Sequence, residues 1–477
     1  MKKILVIMLA LTLAIPAIGY AGSATSRWDL TIGGNEKIDI AYSNTAAGLL
    51  SDDALPQRSS LAGNDNVINK YGTWQWGVGE TSLNFAIRGP DAWGAKTSAF
   101  ISGDFTGVWT GGPAAYATAA TQTGQPDNYN TFDLMNANFT LDWGQESVVI
   151  GQEISIWGMI PTFALAPNWG NMGFGGKGLP PVAPGIWYTQ KFGSSGLRAM
   201  FQVQGPQGPT GANETNGAVN NGANSQSWGP IPYLQTSWIY ESPACGKVGP
   251  WDLLFGLDAI YGKQKYVFQT STSGPVALSD QTVDEWSVMF KTLVPIIPEK
   301  NNGNKTNAWY VDANIFTGQN VGGGYYGTFG SYGALAYLRP GSATNTATPG
   351  QPPTYGSSPY AGDYASPLAW GWEGHTQFYF TDQISFNGFY FYSYIKNSQW
   401  YALNGGTAPA AVTAAGGPVH SIYNYTADIM YDVNPAVRLV FAYDTTRAYY
   451  AGVSTTPSAY GNSGTRHTYH FAAYYYF

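Results

Sequence analysis

The chain has 477 residues and a formal net charge of −7, with 22 basic and 29 acidic residues. Because nucleic-acid binding needs clustered Lys and Arg, this balance argues against a nucleic-acid partner. The single cysteine, Cys245, excludes an internal disulfide. The chain is rich in Gly, Tyr and Trp, only 11% of its residues are charged, and no helical periodicity extends beyond two turns. This composition is not typical of a soluble helical protein.

Residues 1–21 have the three parts of a secretory signal peptide. Two lysines directly after the first methionine give a positive start, and a mostly apolar run, 4–15, follows them. Small residues then precede a cleavage position after Ala21. The apolar run is shorter than the roughly 20 residues that span a bilayer, which argues against a membrane-anchoring helix. We therefore expect an exported chain whose mature part is 22–477.

The most regular pattern in the mature chain is the alternation of apolar and polar residues in stretches of about ten residues. In the last stretch, Tyr469 and Phe471 alternate with Thr468 and His470. Such alternation predicts strands with one apolar and one polar face. Since lipid offers no hydrogen bonds to the backbone, strands cross a membrane only as a closed sheet. The sequence therefore predicts an all-β fold, a transmembrane antiparallel β-barrel.

Sixteen such stretches are present, an even number, as closure of a single-chain antiparallel barrel requires. The links between them are alternately short turns, expected on the periplasmic rim, and long polar segments, expected outside the cell. Two of the long loops, 44–78 and 320–365, have room for further strands, which would change the count by two. The predicted strands are 28–43, 79–88, 95–106, 130–143, 146–155, 185–192, 196–205, 231–243, 251–267, 283–297, 306–319, 366–380, 383–396, 419–431, 436–451 and 464–477.

Several segments resemble the porins of Gram-negative outer membranes. The last strand ends in an aromatic residue, Phe477, and 83–107 (LNFAIRGPDAWGAKTSAFISGDFTG) resembles the second hairpin of porin-like channels from metal-respiring deltaproteobacteria. The sequence VVIGQ at 148–152, followed by Trp157 and Pro161, resembles the porin strand that leads into the third loop. The resemblance covers essentially the whole mature chain.

This resemblance implies a multi-pass protein of the bacterial outer membrane, in contact with lipid and lipopolysaccharide. The implied function is a water-filled channel for passive diffusion of small hydrophilic solutes and ions. Similar porins are trimers, so a homotrimer is expected. Similar outer-membrane proteins also use a terminal aromatic residue as the signal for membrane insertion, and this role is expected for Phe477.

In porins the third long loop folds into the barrel and narrows it, and it usually carries acidic residues. The third loop of this chain is 156–184, and its only charged residue is Lys177. We therefore expect a constriction more apolar than that of a general porin, or a loop that packs elsewhere. The apolar residues expected at the constriction are Trp157, Phe163, Trp169 and Phe174.

Alternation assigns charged side chains to the inner wall of the barrel. Rings of charge in a narrow channel set ion preference because low-dielectric walls focus the electric field. The alternative is that these side chains are merely solvated. We expect weak selectivity, tipped toward cations by the acidic balance of the chain. The expected pore-lining residues are Arg88, Lys96, Asp104, Asp142, Lys191, Arg198, Asp258, Lys291, Asp312, Glu373, Asp428, Arg438, Asp444, Arg466 and His470.

Other functions have less support in the sequence. For a barrel enzyme, His467 is the only plausible general base, and spacing assigns no serine or acid to it. His467 and His470 are three residues apart on a strand and so point to opposite faces, which argues against a shared metal. No CxxCH motif is present, so any haem would belong to a partner. We expect no cofactor and no enzymatic activity; a sheath around a partner cytochrome, or a channel for less polar substrates, stays an alternative.

Overall fold

The computed structural model describes most of the mature chain as one large antiparallel sheet. The expected signal peptide, 1–21, and the part of the third loop at 159–181 lie outside the described residues. No helix within the described ranges is long and apolar enough to cross a membrane. The structure describes residues 28–44, 72–79, 81–108, 130–158, 182–205, 226–269, 278–300, 303–319, 337–338, 364–365, 368–395, 419–450 and 463–477.

Within these ranges the chain forms nineteen strands, of which seventeen belong to the large sheet. The strands are β1 (Asp29–Ser43), β2 (Thr73–Gly77), β3 (Ser82–Ala92), β4 (Ala95–Val108), β5 (Asn130–Asp142), β6 (Glu146–Ile154), β7 (Val182–Lys191), β8 (Leu197–Gln204), β9 (Gln226–Ser242), β10 (Leu253–Gln269), β11 (Leu278–Ile297), β12 (Trp309–Gln319), β13 (Tyr337–Leu338), β14 (Tyr364–Ala365), β15 (Leu368–Tyr379), β16 (Ile384–Ile395), β17 (Val419–Asn434), β18 (Val437–Tyr450) and β19 (Ser463–Tyr476).

The sheet closes on itself because the first strand pairs with the last. β1 and β19 are antiparallel neighbours, from Asn35 opposite Tyr476 to Ser43 opposite Thr468. At the end of this seam the backbones of Gly34 and Phe477 exchange two hydrogen bonds, of 3.1 and 3.2 Å. The other edge of β1 pairs with β2 and β3. The fold is therefore the closed antiparallel barrel that the sequence predicts.

One position in the barrel is shared by two short strands. β2 pairs with the second half of β1 and β3 with the first half, so the two together occupy one place and the barrel has sixteen positions. At the break between them, the Thr81 hydroxyl accepts from the Lys37 amide at 3.2 Å and lies 3.4 Å from the Lys37 carbonyl oxygen. A side chain thus supplies the hydrogen bonds that the interrupted ladder lacks.

Several predicted strand bounds are wrong; β9, for example, begins at Gln226, five residues before the predicted start at 231. The strand predicted at 79–88 is β3 and ends later, whereas β2 lies inside the predicted 44–78 loop. β11 begins at Leu278, earlier than predicted. The 320–365 loop also contains strands, β13 and β14, but they pair only with each other and add no position to the barrel.

The short links lie at one end of the barrel, and two of them are tighter than predicted. Trp93 and Gly94 have φ of 51° and 77°, so a two-residue turn of the kind favoured in hairpins joins β3 to β4, in place of a link over Gly89–Gly94. The Asn434 side chain accepts from two backbone amides and limits the turn between β17 and β18 to 435–436. We call this end the short-turn rim and the opposite end the long-loop rim.

The distribution of apolar side chains is the reverse of that in a soluble protein. On β12, the inward side chains of Asp312 and Asn314 are buried, whereas the outward side chain of Ile315 is 55% exposed. The same alternation holds on β18 and β19, where Phe441 and Tyr469 face outward. An apolar exterior around a polar interior is stable only when lipid surrounds the sheet. The barrel is therefore a transmembrane one.

An aromatic network covers the outer face of β15, β16 and β17. The rings of Trp372 and Tyr390 have centroids 4.5 Å apart, Tyr390 and Tyr425 4.8 Å, and Tyr392 and Tyr423 4.7 Å. Tyr and Trp are enriched where a membrane protein meets the interface between lipid and water. The network therefore has the composition of an aromatic girdle of a transmembrane barrel.

The closing seam leads to a prediction about Gly34. A Cβ atom at this position would lie 2.1 Å from the Ser82 carbonyl oxygen, and Phe477 would be 3.1 Å away. We expect Gly34→Ala to lower the free energy of unfolding by about 2 kcal/mol or more, because the Ser82 backbone on one side of β1 and the Phe477 ring on the other must move. Urea unfolding from lipid vesicles, followed by tryptophan fluorescence, measures this.

Gly374→Ala is the matched control, since a Cβ there meets nothing closer than 3.7 Å. Its effect should stay within about 0.5 kcal/mol. Equal stabilities for the two variants would contradict the importance of the seam.

Candidate functional site: the inner wall

The inner wall carries many buried charged side chains, and acids outnumber bases. Most of the acids predicted to line the pore are among them. Most of these buried charged side chains lie on the inner faces of strands β10–β19, and one lies in the long-loop half of β4. Among the described residues the buried acids are Asp39, Asp104, Asp258, Glu285, Asp312, Glu373, Asp428 and Asp444, and the buried bases are Lys37, Lys291 and Arg466.

Most of the predicted basic residues lie at the short-turn rim instead. Arg88, Lys96 and Lys191 are exposed there. Arg198 donates to both carboxylate oxygens of Glu241, at 2.9 and 2.7 Å. The sequence pattern assigns a face to each side chain but no height along the barrel, and this is why rim and mid-wall residues were predicted together.

Arg438 and Arg466, both expected to line the pore, lie on neighbouring strands but at different heights along the barrel. Arg438 lies opposite Tyr474 on β19, whereas Arg466 lies opposite Thr446 on β18. Eight residues of extended strand separate Arg438 from Thr446, roughly 27 Å. Arg438 instead binds Asp432 beside it. The arginines therefore do not form one basic cluster.

Three buried charged residues on the inner wall were missed by the sequence analysis. Lys37 and Asp39 form an ion pair of 3.4 Å on β1, and Glu285 on β11 accepts from the Tyr233 hydroxyl. Alternation marks all three, since the residues next to them, such as Ile38, face outward. The period-2 pattern of β1 and β11 could therefore have identified these residues.

The third loop begins on the inside of the barrel. After β6, the Ser155 hydroxyl donates to Gln235 of β9, and the Ile156 amide donates to Gln202 of β8 at 2.8 Å. The Trp157 amide donates to Gln235 at 3.1 Å, and the Trp157 side chain is 1% exposed. The first residues of the loop therefore cross from β6 to the inner faces of β8 and β9. The expected constriction residues Phe163, Trp169, Phe174 and Lys177 lie outside the described residues.

A buried ion pair extends this contact to β10 and β11. Lys291 Nζ lies 2.7 Å from Asp258 Oδ2 and donates to the Gly158 carbonyl at 3.2 Å, while the Gly158 amide donates to the same carboxylate oxygen at 3.3 Å. The Ser237 hydroxyl donates to the other carboxylate oxygen. Gly256 leaves the space in which the Lys291 side chain lies flat on the wall. We call Asp258, Lys291 and Gly158 the loop anchor.

Across β12–β18 the acids are paired with neutral side chains of neighbouring strands. Asn387 donates to Asp428 at 2.6 Å, and Asn314 donates to Glu373. Asn424 of β17 donates to Asp444 of β18 in the same way. Buried charge is costly unless hydrogen bonds compensate it, and each pair supplies one. Register is responsible for two of the pairs, since Asn387 lies opposite Asp428 and Asn314 opposite Glu373.

The histidines form no metal site with the described residues. His375 Nδ1 lies 2.7 Å from Asp312 on the inner wall, and His470 is buried there as predicted. His467 faces outward, where Tyr443 and Thr445 contact its ring. No group of three His, Cys, Asp or Glu side chains within the described ranges could hold a metal ion.

The loop anchor leads to a prediction about stability. Lys291→Met leaves the Asp258 carboxylate buried without its cation, so we expect a loss of about 3–5 kcal/mol in the free energy of unfolding. Adding Asp258→Asn should recover part of it, with an interaction energy of about 1–3 kcal/mol in a double-mutant cycle measured by urea unfolding.

Lys247→Met is the control, because Lys247 also has an acidic partner, Glu299 at 3.5 Å, but is 60% exposed. Its cost should remain within about 1 kcal/mol. Additive effects of Lys291→Met and Asp258→Asn would show that the two side chains are not coupled.

Comparison with known proteins identifies the fold. No family model and no curated protein matches the sequence. The outer-membrane channel DcaP of Acinetobacter baumannii superposes with a TM-score of 0.60 at 11% identity, over 95% of this chain and 99% of that one. The anion-selective porin of Comamonas acidovorans gives 0.46 at 11% identity (94% and 100% covered), and OmpF of Salmonella typhi, in complex with daunomycin, 0.44 at 14% (94% and 97%). The chain has the fold of an outer-membrane porin.

Proposed function

We propose that this protein is an outer-membrane porin through which small hydrophilic solutes and ions diffuse passively. The observation that carries the proposal is the closed sixteen-position barrel with a polar inner wall. Barrels of eight strands are filled by their own side chains, whereas those of sixteen are wide enough to leave an aqueous channel. Alternation of polar and apolar residues is maintained on the strands that form this wall. Diffusion through such a channel needs no covalent chemistry.

The third loop narrows this channel. The described entry of the loop supports the proposal, because Ser155, Ile156 and Trp157 bond to inner-wall glutamines of β8 and β9. A loop that packed outside the barrel would not begin with these contacts. The apolar side chains expected further along the loop would then form a constriction with little charge of its own.

The role of the protein is transport and not catalysis. The histidine considered as a general base, His467, lies on the outer face between Tyr443 and Thr445. Neither neighbour is an acid that would orient the ring for proton transfer. Buried charged side chains of the inner wall are engaged with each other or with amides, which favours a structural and electrostatic role.

Outer-membrane lipid and lipopolysaccharide are the surroundings in this proposal, and a homotrimer is the proposed assembly. The exposed apolar side chains of the outer face give such contacts a broad surface, for example Leu257 and Phe290 on neighbouring strands.

Channel activity is the direct test. Refolded protein inserted in a planar lipid bilayer should give discrete conductance steps in KCl, because the lumen contains water. Heat-dependent migration in an SDS gel verifies that the inserted sample is folded. Folded protein that inserts without producing any steps would refute the diffusion channel.

The inward course of the third loop gives a second prediction. Gln202→Ala combined with Gln235→Ala removes the wall acceptors of Ser155, Ile156 and Trp157. We expect a higher mean single-channel conductance and more current noise, because the loop entry is no longer held on the wall.

Gln377→Ala is the matched control, since this buried inner-wall glutamine bonds to Tyr310 and Ser385 and to no described loop residue. Its conductance should equal that of the unmodified protein. A double variant with unchanged conductance and noise would contradict a constricting third loop.

A further inference from the structure

The inner faces of β12, β15, β16 and β17 carry three buried acids and one described buried basic side chain, His375, which lies 2.7 Å from Asp312. No Lys or Arg occurs anywhere in these four strands, whereas Asp312, Glu373 and Asp428 are buried on their inner side. The nearest buried bases are on other strands, where Lys291 binds Asp258 on β10. We call these four inner faces the acceptor wall.

The amides of the acceptor wall have only one possible orientation. A carboxylate accepts hydrogen bonds and cannot donate them, so an amide beside it must present its NH2 group. Asn387 Nδ2 therefore donates to Asp428 at 2.6 Å, and Asn314 Nδ2 donates to Glu373. The amide oxygens consequently point away from the carboxylates.

These amide oxygens, with one carboxylate oxygen, have no partner among the described residues. They are Asn314 Oδ1, Asn387 Oδ1 and Asp428 Oδ2, and all three are buried on the inner wall. The residues that carry them are 1–2% exposed. Buried polar atoms normally have hydrogen-bond partners, so unpartnered ones indicate a place for a ligand or for water. Because these three are acceptors only, the ligand they suit is a cation or a donor.

We propose that the acceptor wall makes the channel select small cations. This proposal rests on the proposed function and names the class of solute that the channel prefers. Rings of acidic side chains favour cations, and a low-dielectric wall strengthens their field. The unpartnered acceptor oxygens act in the same direction, since their partial negative charge adds to the negative potential of the wall. Lys37 pairs with Asp39 on its own strand, and Arg466 lies 4.0 Å from Asp444 on β18, so both bases are engaged by acids outside this wall.

The test is the reversal potential of single channels in a KCl gradient at neutral pH. The unmodified protein should favour K+ over Cl−. The variant Asp312→Asn/Glu373→Gln/Asp428→Asn should reduce the K+/Cl− permeability ratio by about twofold or more, because it neutralises three of the buried acids while keeping their shapes.

Asp284→Asn is the matched control. Asp284 lies on β11 but faces outward, 3.3 Å from Lys263, and its side chain is 59% exposed. Its removal changes the net charge without changing the lumen, so the permeability ratio should stay the same. If the triple variant does not insert, Glu373→Gln alone is measured, and a smaller shift in the same direction is expected.

The outcomes distinguish the two proposals. Absence of conductance steps refutes the channel itself. Steps with no K+ preference in the unmodified protein refute the cation selectivity and leave the diffusion channel intact. An equal shift in the Asp284→Asn control would also refute it, because the effect would then come from overall charge and not from the acceptor wall.

Discussion

The structure depends on one constraint: in lipid, every backbone hydrogen bond of the sheet must be made within the sheet. An open sheet would expose the amides and carbonyls of its two edge strands. β1 removes both edges, since it pairs with β19 on one side and with β2 and β3 on the other. The approach is close enough at Gly34 that backbone of Ser82 and the ring of Phe477 occupy the space of a side chain. Closure of the barrel therefore requires glycine at position 34, at the seam between the first and last strands.

Closure also determines which side chains meet. Since the register of each strand follows from its neighbours, Asp428 lies opposite Asn387 and Asp312 opposite His375. A slip of one residue would turn the polar face of a strand toward lipid, which the apolar outer surface does not tolerate. The same register that satisfies the backbone therefore places a polar partner opposite several of the buried acids. The wall gains its charge without a matching number of bases.

The barrel itself could be predicted from the sequence, because local patterns show both the alternation of apolar and polar residues and the even number of strands that closure requires. A residue such as Asp444 is placed on the inner face by its neighbours Tyr443 and Thr445 alone, and the even strand number follows from the links. The height of a residue along the barrel axis could not be predicted in this way. Arg438 and Arg466 have the same pattern, yet they lie near opposite ends of β18 and β19. Height depends on the stagger between strands, which no single strand records.

The break between β2 and β3 and the loop anchor were beyond the sequence for a related reason. Thr81 replaces ladder hydrogen bonds of Lys37 in β1, and the two residues are 44 positions apart. Lys291 and Gly158, which meet in the anchor, are 133 positions apart. Contacts of this kind arise only once the sheet has closed. Most of the buried acids were predicted, but the partners that determine their electrostatic role were not.

Two parts of the inner wall differ in what their side chains bind. Lys291 lies where the two parts meet. On the β8–β11 side, glutamines and the buried ion pair hold the entry of the third loop. Lys291 is engaged there by Asp258 and by a loop carbonyl, so its charge is compensated where it lies. The next strands round the barrel, β12, β15, β16 and β17, contain no Lys or Arg and carry the unpartnered acceptor oxygens of Asn314, Asn387 and Asp428. In the proposed channel these acidic strands form the part of the wall that attracts cations. The charge that such solutes experience is therefore decided by Asp312, Glu373 and Asp428 more than by the net charge of the chain.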